Sequence, residues 1–230
     1  MRKTYPCAPY LPGIHHGSEN ADNTERPNHK VYLDAFQMDV RRSDQRDVSG
    51  MWRRGAALRR RRPGSETRSD YYGSSKFEDF PVLNVDWNQA SAYCEWRGGS
   101  LPTEAQWEKA ARGTDERILP WGNGVSCDQV GYMDCVDDTV KVGSYESGMS
   151  PYGVYDMAGN VWEWVADWYS ETYYQNSSYE NPLGPENGMV RGFAAGVIIM
   201  KITCAPPFAT DTPGRIQEFI GFRCAQPASP

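Results

Sequence analysis

The sequence predicts a single α+β domain that is rich in loops, with two short helices among short mixed and antiparallel strands. At 230 residues the chain is long enough for one large core. Aromatic residues make up 13% of it, together with 22 Gly and 16 Pro, which indicates aromatic anchors between many turns and not a helical bundle. Two segments also carry the start and stop signals of short helices.

The first strand is expected in the segment 21–40. Its stretch VYLDAF, at 31–36, alternates so that Val31, Leu33 and Ala35 line one face and the intervening residues line the other. This alternation is typical of a strand that is covered on one side.

A further short strand, PVLNV at 81–85, leads into the first predicted helix. Asp86 or Asn88 can cap its N-terminus with a side-chain oxygen, and the helix continues through Trp96. The pair Gly98-Gly99 then ends it, since glycine readily adopts the left-handed conformation that follows a helix.

The second helix lies in LPTEAQWEKAARG, at 101–113. Thr103 and Gln106 have the spacing of a capping box, and Gly113 ends the helix. Two later strands are expected, VWEWVADW at 161–168 and GFRC at 221–224.

Charge and hydropathy exclude two classes of protein. The net charge of −6 and the pI near 5.2 argue against a nucleic-acid-binding protein, because such domains are usually basic. No run of 18 apolar residues occurs, so no membrane-spanning helix is expected. The opening MRKTYPCAPYLPG has basic residues but no apolar core, so we expect no signal peptide in this chain.

Cysteine and histidine usage gives little support for a zinc or redox centre. There are six Cys and no CxxC, and the three His are His15, His16 and His29. The spacing of Cys127 and Cys135 closes a short loop that is compatible with a disulfide.

Four blocks in one order give a specific resemblance. They are NVDWNQASAYCEW at 84–96, LPTEAQWEKAARG at 101–113, YGVYDMAGNVWEWVADW at 152–168, and RG…IGFRCA between 191 and 225. In sequence and order they resemble the formylglycine-generating enzyme, or sulfatase-modifying factor, family. The resemblance extends over nearly the whole of 1–230 and implies one domain with a C-type-lectin-like fold.

The resemblance also implies a structural calcium ion near Glu163. Glu163 alternates with two tryptophans, so its carboxylate points to the opposite face, and a buried carboxylate needs a cation or several donors. The family's ligands would correspond to Asp156, Glu163 and the backbone oxygens of Gly159 and Val161, a set of oxygens that suits calcium. The alternative is that Glu163 only bonds loop amides.

A second calcium site of the family would fall at Gly131, Tyr132, Asp138 and Val140. Its usual first ligand is an Asn side chain, which Gly131 cannot supply.

A disulfide between Cys94 and Cys224 is likewise implied by the resemblance. It would tie the first helix to the last strand, and in the chain-entropy model a loop of this length stabilises the fold by about 4–5 kcal/mol. Two buried free thiols are the alternative.

The resemblance does not extend to the catalytic centre. The family's oxidases bind copper(I) through two cysteines separated by four residues, because soft thiolates suit that metal. The corresponding interval, 193–220, contains only Cys204. We therefore expect no catalytic residues, no copper and no formylglycine synthesis. The related iron-dependent sulfoxide synthases need a histidine-rich site, and no histidine lies in the helix blocks.

Two segments depart from the family pattern, at 41–63 and at 193–213. The first contains nine arginines and ends in RRRR, and the second reads FAAGVIIMKITCAPPFATDTP. Shifted codons permit family residues in both, including Thr-Glu-Val across Val40 to Ser43. We therefore expect frame-shifted readings with poor order at 41–63. An ordinary solvated basic face or a nucleic-acid patch is the other interpretation of the arginine run.

Two functions compete at this point, and a nonfunctional or poorly folding product is the third possibility. The first is membership of the enzyme family without its oxidase activity. The second is a lectin-like module that binds an unknown protein or small molecule through its loops, like the variable proteins of diversity-generating retroelements. An extracytoplasmic location is expected if the disulfides form.

Overall fold

The computed structural model describes residues 1–5, 8–10, 26–52, 64–115, 117–122, 124–131, 135–188, 191–194 and 219–228. This part of the chain contains three α-helices: α1 (Gln45–Trp52), α2 (Trp87–Trp96) and α3 (Glu104–Arg112). Its strands are β1 (Arg2–Tyr5), β2 (Ala8–Tyr10), β3 (Val31–Leu33), β4 (Phe36–Asp39), β5 (Trp162–Trp168), β6 (Arg191–Ala194), β7 (Ile220–Gly221) and β8 (Ala225–Pro227).

The strands form three small sheets. One has the order β1-β4-β8 with antiparallel pairs, and a second pairs β2 with β3. The third has the order β6-β5-β7, in which β5 is antiparallel to β6 and parallel to β7. Short mixed and antiparallel strands were predicted, and the α+β class is confirmed.

Both predicted helix starts are present. Asp86 accepts from the backbone of Gln89, and the side chain of Gln89 accepts from the Asp86 amide, which completes a capping box at α2. Thr103 and Gln106 form the same reciprocal pair at α3. Gly113 follows α3 with φ +76, a conformation that glycine adopts without a Cβ clash.

The strands differ from the predicted ranges in three places. The stretch 31–36 breaks after Leu33, so Phe36 is buried in β4 although strict alternation placed it opposite Val31 and Leu33. The stretch 81–85 forms only an isolated bridge at Pro81. Within GFRC, residues 222–224 form no strand ladder; the amide of Asp39 at the end of β4 donates to the carbonyl of Cys224, and the amide of Ser43 donates to that of Phe222.

A third helix, α1, lies inside the segment that was expected to be poorly ordered. Val48 and Met51 of this helix are buried in the core, and the Asp44 carboxylate accepts from the amide of Asp47 in the first turn. The expectation for 41–63 is therefore wrong over 41–52. Residues 53–63, with the RRRR run, lie outside the described residues.

Strand β5 separates the two largest core clusters. Trp164 packs into the cluster around α2, and Val165 into the cluster around α3. The indole of Trp164 donates to the carbonyl of Val85 at 2.9 Å, so this large side chain is buried with its polar atom paired. Glu163, also on β5, is fully buried between these hydrophobic neighbours.

Candidate functional site

Glu163 accepts hydrogen bonds from three other buried side chains. Arg42 Nε lies 2.9 Å from Oε1, and Arg223 donates to both oxygens, with Nε 2.6 Å from Oε2 and Nη2 2.7 Å from Oε1. The indole of Trp107, on α3, donates to Oε2 at 3.0 Å. The side chains of Glu163, Arg42 and Arg223 are all 0% exposed. This carboxylate is therefore fully paired inside the protein.

The rest of the Arg42 guanidinium points into the turn that precedes β5. Its Nη1 and Nη2 lie 3.2 and 3.3 Å from the carbonyl oxygen of Gly159, and Nη2 also donates to the carbonyl of Asp156. Arg42 thus bonds two of the groups that the resemblance assigns to calcium, the Glu163 carboxylate and the Gly159 carbonyl, and it bonds Asp156 through the backbone carbonyl and not through the carboxylate.

The turn itself is held by hydrogen bonds to the loop before it. The Asp156 carboxylate accepts from the amide of Gly143 at 2.8 Å, and the Asn160 side chain bonds the amide and the carbonyl of Val140, each at 3.1 Å. Gly159 has φ +76, and a Cβ there would lie 2.7 Å from the carbonyl oxygen of Gly131. Only glycine fits this close approach, so the AGN segment sets the positions of the carbonyls.

Electrostatics favours the ionised carboxylate. Burial by itself would raise the pKa of Glu163, but the neighbouring charges of Arg223 and Arg42 outweigh it and lower that pKa. Burial lowers the pKa of Arg42, against the attraction of Glu163 and Asp156. The cluster therefore carries two guanidinium cations against one fully buried carboxylate.

The residues as arranged do not fit a calcium ion at Glu163. Calcium takes six to eight oxygens at about 2.3–2.6 Å. Here both Glu163 oxygens and the carbonyls of Asp156 and Gly159 already accept from guanidinium groups, which would also repel a second cation. Within the described residues, no group of three or more His, Cys, Asp or Glu side chains could hold a metal ion.

The second set of predicted calcium ligands is also held by internal donors. Asp138 Oδ2 accepts from the Ser65 hydroxyl and from the amide and hydroxyl of Thr67, and Oδ1 accepts from the Thr139 amide. Burial would raise the pKa of Asp138, but these hydrogen bonds lower it. Tyr132 lies outside the described residues.

The structure contains both predicted disulfides. Cys94 on α2 is joined to Cys224, 130 residues away, and both are fully buried. Cys127 is joined to Cys135 across eight residues. Of the six cysteines this leaves Cys204, in the interval of the family's catalytic pair, and one near the N-terminus; both lie outside the described residues.

A recess that the sequence did not indicate lies beside the end of β5. The residues that line it include His29, Tyr173, Tyr174, Glu104 and Asp167. Asp167 is 6% exposed and accepts from the amide of Glu104 at 2.7 Å. Burial raises the pKa of Asp167 to about 6, against the effect of that hydrogen bond. No spacing in the sequence pairs these groups, since they come from four separate segments.

Arg42 was also missed as a functional residue. Its position among nine arginines suggested an artefact, and its partners lie 114 to 121 residues away. The one sequence signal was the need of a buried Glu163 for a cation, which does not specify where the cation comes from.

Among the described residues, no helix is long and apolar enough to cross a membrane.

Comparison with known proteins identifies the domain. Residues 11–228 match the Sulfatase-modifying factor enzyme 1-like domain. The Serine/threonine-protein kinase pkn1 of Chlamydia caviae is 31% identical over 231 residues, which cover 91% of this chain and 36% of that protein. The Formylglycine-generating enzyme of Streptomyces coelicolor is 35% identical over 188 residues, covering 73% of this chain and 58% of the enzyme. The chain thus spans only part of the length of these relatives.

Two solved structures share the fold. PvdO from Pseudomonas aeruginosa superposes with a TM-score of 0.76 at 23% identity, covering 99% of this chain and 94% of PvdO. Treponema denticola variable protein 1 gives a TM-score of 0.69 at 19% identity, covering 99% and 95% of the two chains. These likenesses confirm the predicted C-type-lectin-like fold. The family match over 11–228 shows that the chain belongs to the formylglycine-generating enzyme, or sulfatase-modifying factor, family.

Proposed function

We propose that this domain keeps the scaffold of the formylglycine-generating enzyme family without its copper-dependent oxidase activity. The observation that supports this is the cysteine inventory. Two disulfides use four of the six cysteines, and the interval 193–220 retains only Cys204. One thiolate does not reproduce a site in which two bind copper(I).

Copper(I) titration followed by oxygen-dependent turnover of a CxPxR peptide tests this proposal. We expect no turnover and no tight two-thiolate copper complex from the oxidised protein. The Cys204→Ser variant is the matched control, because it removes the one cysteine in the interval and leaves both disulfides intact. Turnover by the unmodified protein that is lost in Cys204→Ser would contradict the proposal.

A binding role is the function that the retained scaffold supports. The recess beside β5 is lined by two tyrosines, Tyr173 and Tyr174, together with the acidic residues Glu104 and Asp167. Aromatic faces and carboxylates both attract cations, so the chemistry suits a ligand that carries an ammonium or guanidinium group. The ligand would be a small molecule or a side chain of a protein partner.

Titration with Nα-acetyl-arginine amide, followed by calorimetry, tests the binding role. We expect saturable binding that weakens at least several-fold in Asp167→Asn, which keeps the acceptor for the Glu104 amide but removes the charge. Asp128→Asn, a change at an exposed carboxylate away from the recess, serves as the control. Equal affinities of the two variants would show that Asp167 does not select the ligand.

Calcium binding was implied by the family resemblance, and we do not propose it for Glu163 or Asp138, because internal donors already occupy both carboxylates. Two other expectations stand as proposals. The frame-shifted reading of 193–213 is tested by the coding DNA, since codons incompatible with the shifted triplets would end that idea; the same test applies to 41–63, where the buried contacts of Arg42, Val48 and Met51 argue against it. An extracytoplasmic location is supported by the two disulfides, and thiol titration of protein isolated from its native compartment tests it.

A further inference from the structure

We infer that the guanidinium of Arg42 is a built-in cation that takes the place of a bound metal in the turn before β5. On this inference, the structure around Glu163 is independent of calcium. The inference concerns the scaffold and stands apart from the proposed binding role. It rests on which atoms Arg42 contacts, on its burial and on the second arginine beside it.

The contacts of Arg42 have the pattern of a coordinated cation. One planar group reaches a carboxylate oxygen of Glu163 and the backbone oxygens of Gly159 and Asp156, which belong to two different structural elements. Backbone carbonyls and a carboxylate are also the ligands that calcium prefers. Guanidinium can satisfy them by donating through its fork of N–H groups.

The burial of Arg42 shows that solvent does not share in this interaction. Its side chain is 0% exposed, as is that of Glu163. A buried charge is tolerated only where donors and acceptors pair it. Removal of Arg42 would leave the carbonyls of Gly159 and Asp156 without its hydrogen bonds. Glu163 would keep Arg223, which contacts both of its oxygens. The space left by Arg42 would then be lined by oxygens and open to a small cation.

Arg46 offers a matched control from the same segment. Its guanidinium is 63% exposed and pairs with Asp79 at 2.8 Å on the surface. Truncation of Arg46 removes the same charge and a similar number of atoms, but leaves the turn before β5 intact. A difference in melting temperature between the Arg42 and Arg46 variants therefore reports the buried contacts of Arg42 and not the loss of one positive charge.

The test compares thermal unfolding in millimolar CaCl2 and in EGTA for the unmodified protein, Arg42→Ala, Arg42→Glu and Arg46→Ala. We expect no calcium effect on the unmodified protein or on Arg46→Ala. Arg42→Ala should melt well below Arg46→Ala. Arg42→Glu, which puts two carboxylates beside the carbonyls, should gain a calcium-dependent rise of about 5 °C or more at saturating ion.

Calorimetry and native mass spectrometry of the unmodified protein keep the inference testable where an Arg42 variant fails to fold. Absence of bound calcium in EGTA-free buffer supports it. A stoichiometric calcium ion whose removal lowers the melting temperature would overturn it. Equal melting temperatures for Arg42→Ala and Arg46→Ala would overturn it as well, because Arg42 would then not hold the turn.

Discussion

Arg223 and Glu163 form a buried bidentate ion pair, with Nε 2.6 Å from Oε2 and Nη2 2.7 Å from Oε1. The pair joins the segment between β7 and β8 to the start of β5. Arg223 also donates to the carbonyl of Tyr155 at 3.0 Å, so the same side chain fixes the loop that carries the Arg42 contacts. The last residues of the domain are therefore tied to its central strand by charge as well as by the Cys94–Cys224 disulfide.

Replacement of Glu163 by Gln should destabilise the fold strongly. The shape is kept, but two buried guanidinium groups lose their counter-charge, a change that typically costs about 3–5 kcal/mol. Urea unfolding monitored by tryptophan fluorescence measures this free energy. Glu171→Gln, at an exposed carboxylate, is the control and should change the free energy of unfolding little. Equal losses at the two positions would contradict the paired arrangement.

Asp167 should make the stability of the domain depend on pH. Its folded-state pKa is about 6, raised by burial above the ordinary 3.8, so the folded protein binds more protons between these values than the unfolded chain. The free energy of unfolding attributable to Asp167 therefore falls as the pH rises through about 4 to 6.

The Asp167→Asn variant isolates that contribution. The difference in free energy of unfolding, variant minus unmodified protein, should be larger at about pH 7 than at about pH 4. The reason is that the variant removes the cost of burying the ionised carboxylate, which is present only at the higher pH. Urea unfolding at several pH values gives the difference curve. Asp44, whose pKa burial also raises to about 6, contributes a slope of the same sign in both proteins and cancels in the difference. If the difference in free energy of unfolding does not change with pH, Asp167 is not a buried carboxylate with a raised pKa.

The two disulfides should differ in their stabilising effect. In the chain-entropy model the 130-residue separation of Cys94 and Cys224 gives about 5 kcal/mol, and the eight-residue separation of the other pair gives about 2.5 kcal/mol. Paired Cys→Ala variants, unfolded in urea, measure both effects. A larger loss on removing the Cys127–Cys135 bridge would show that loop length does not govern the stabilisation.

Arg191 should stabilise the edge of the β6-β5-β7 sheet through its two tryptophan contacts. Its guanidinium carbon lies 3.6 Å from the ring centroids of both Trp87 and Trp168, and Nη1 donates to the carbonyl of Ala166 at 2.9 Å. Arg191→Ala should cost about 1–3 kcal/mol and change the tryptophan emission. Arg191→Lys should recover part of the loss, because it keeps the charge but not the planar stacking.

Gly159 should tolerate alanine much less well than Gly98 does. Both have φ +76, so both substitutions carry the same backbone strain of about 1 kcal/mol. A Cβ at Gly159 would also lie 2.2 Å from Val130 Cγ2, whereas nothing lies within 4 Å of a Cβ at Gly98. Gly159→Ala should cost about 1–3 kcal/mol more than Gly98→Ala by thermal or urea unfolding. Equal costs would mean that the turn shifts freely.

The sequence by itself determined the features that depend on neighbouring residues. Asp86 with Gln89 and Thr103 with Gln106 specify two helix starts, because a capping box needs only a spacing of three residues. The GNVWEW block likewise places Glu163 on the face of β5 opposite Trp162 and Trp164, close after the turn of Gly159, since alternation along a strand is a local rule. The family and its fold follow from these blocks.

The tertiary structure decided what surrounds Glu163. Arg42 and Arg223 come from segments 121 and 60 residues away, and no local pattern distinguishes a buried arginine from a solvated one. The same holds for α1, whose burial of Val48 and Met51 in the core overrides a composition that suggested disorder. Sequence specifies that a buried carboxylate must be compensated, but long-range packing selects which groups compensate it, because burial is a property of the folded chain and not of any segment.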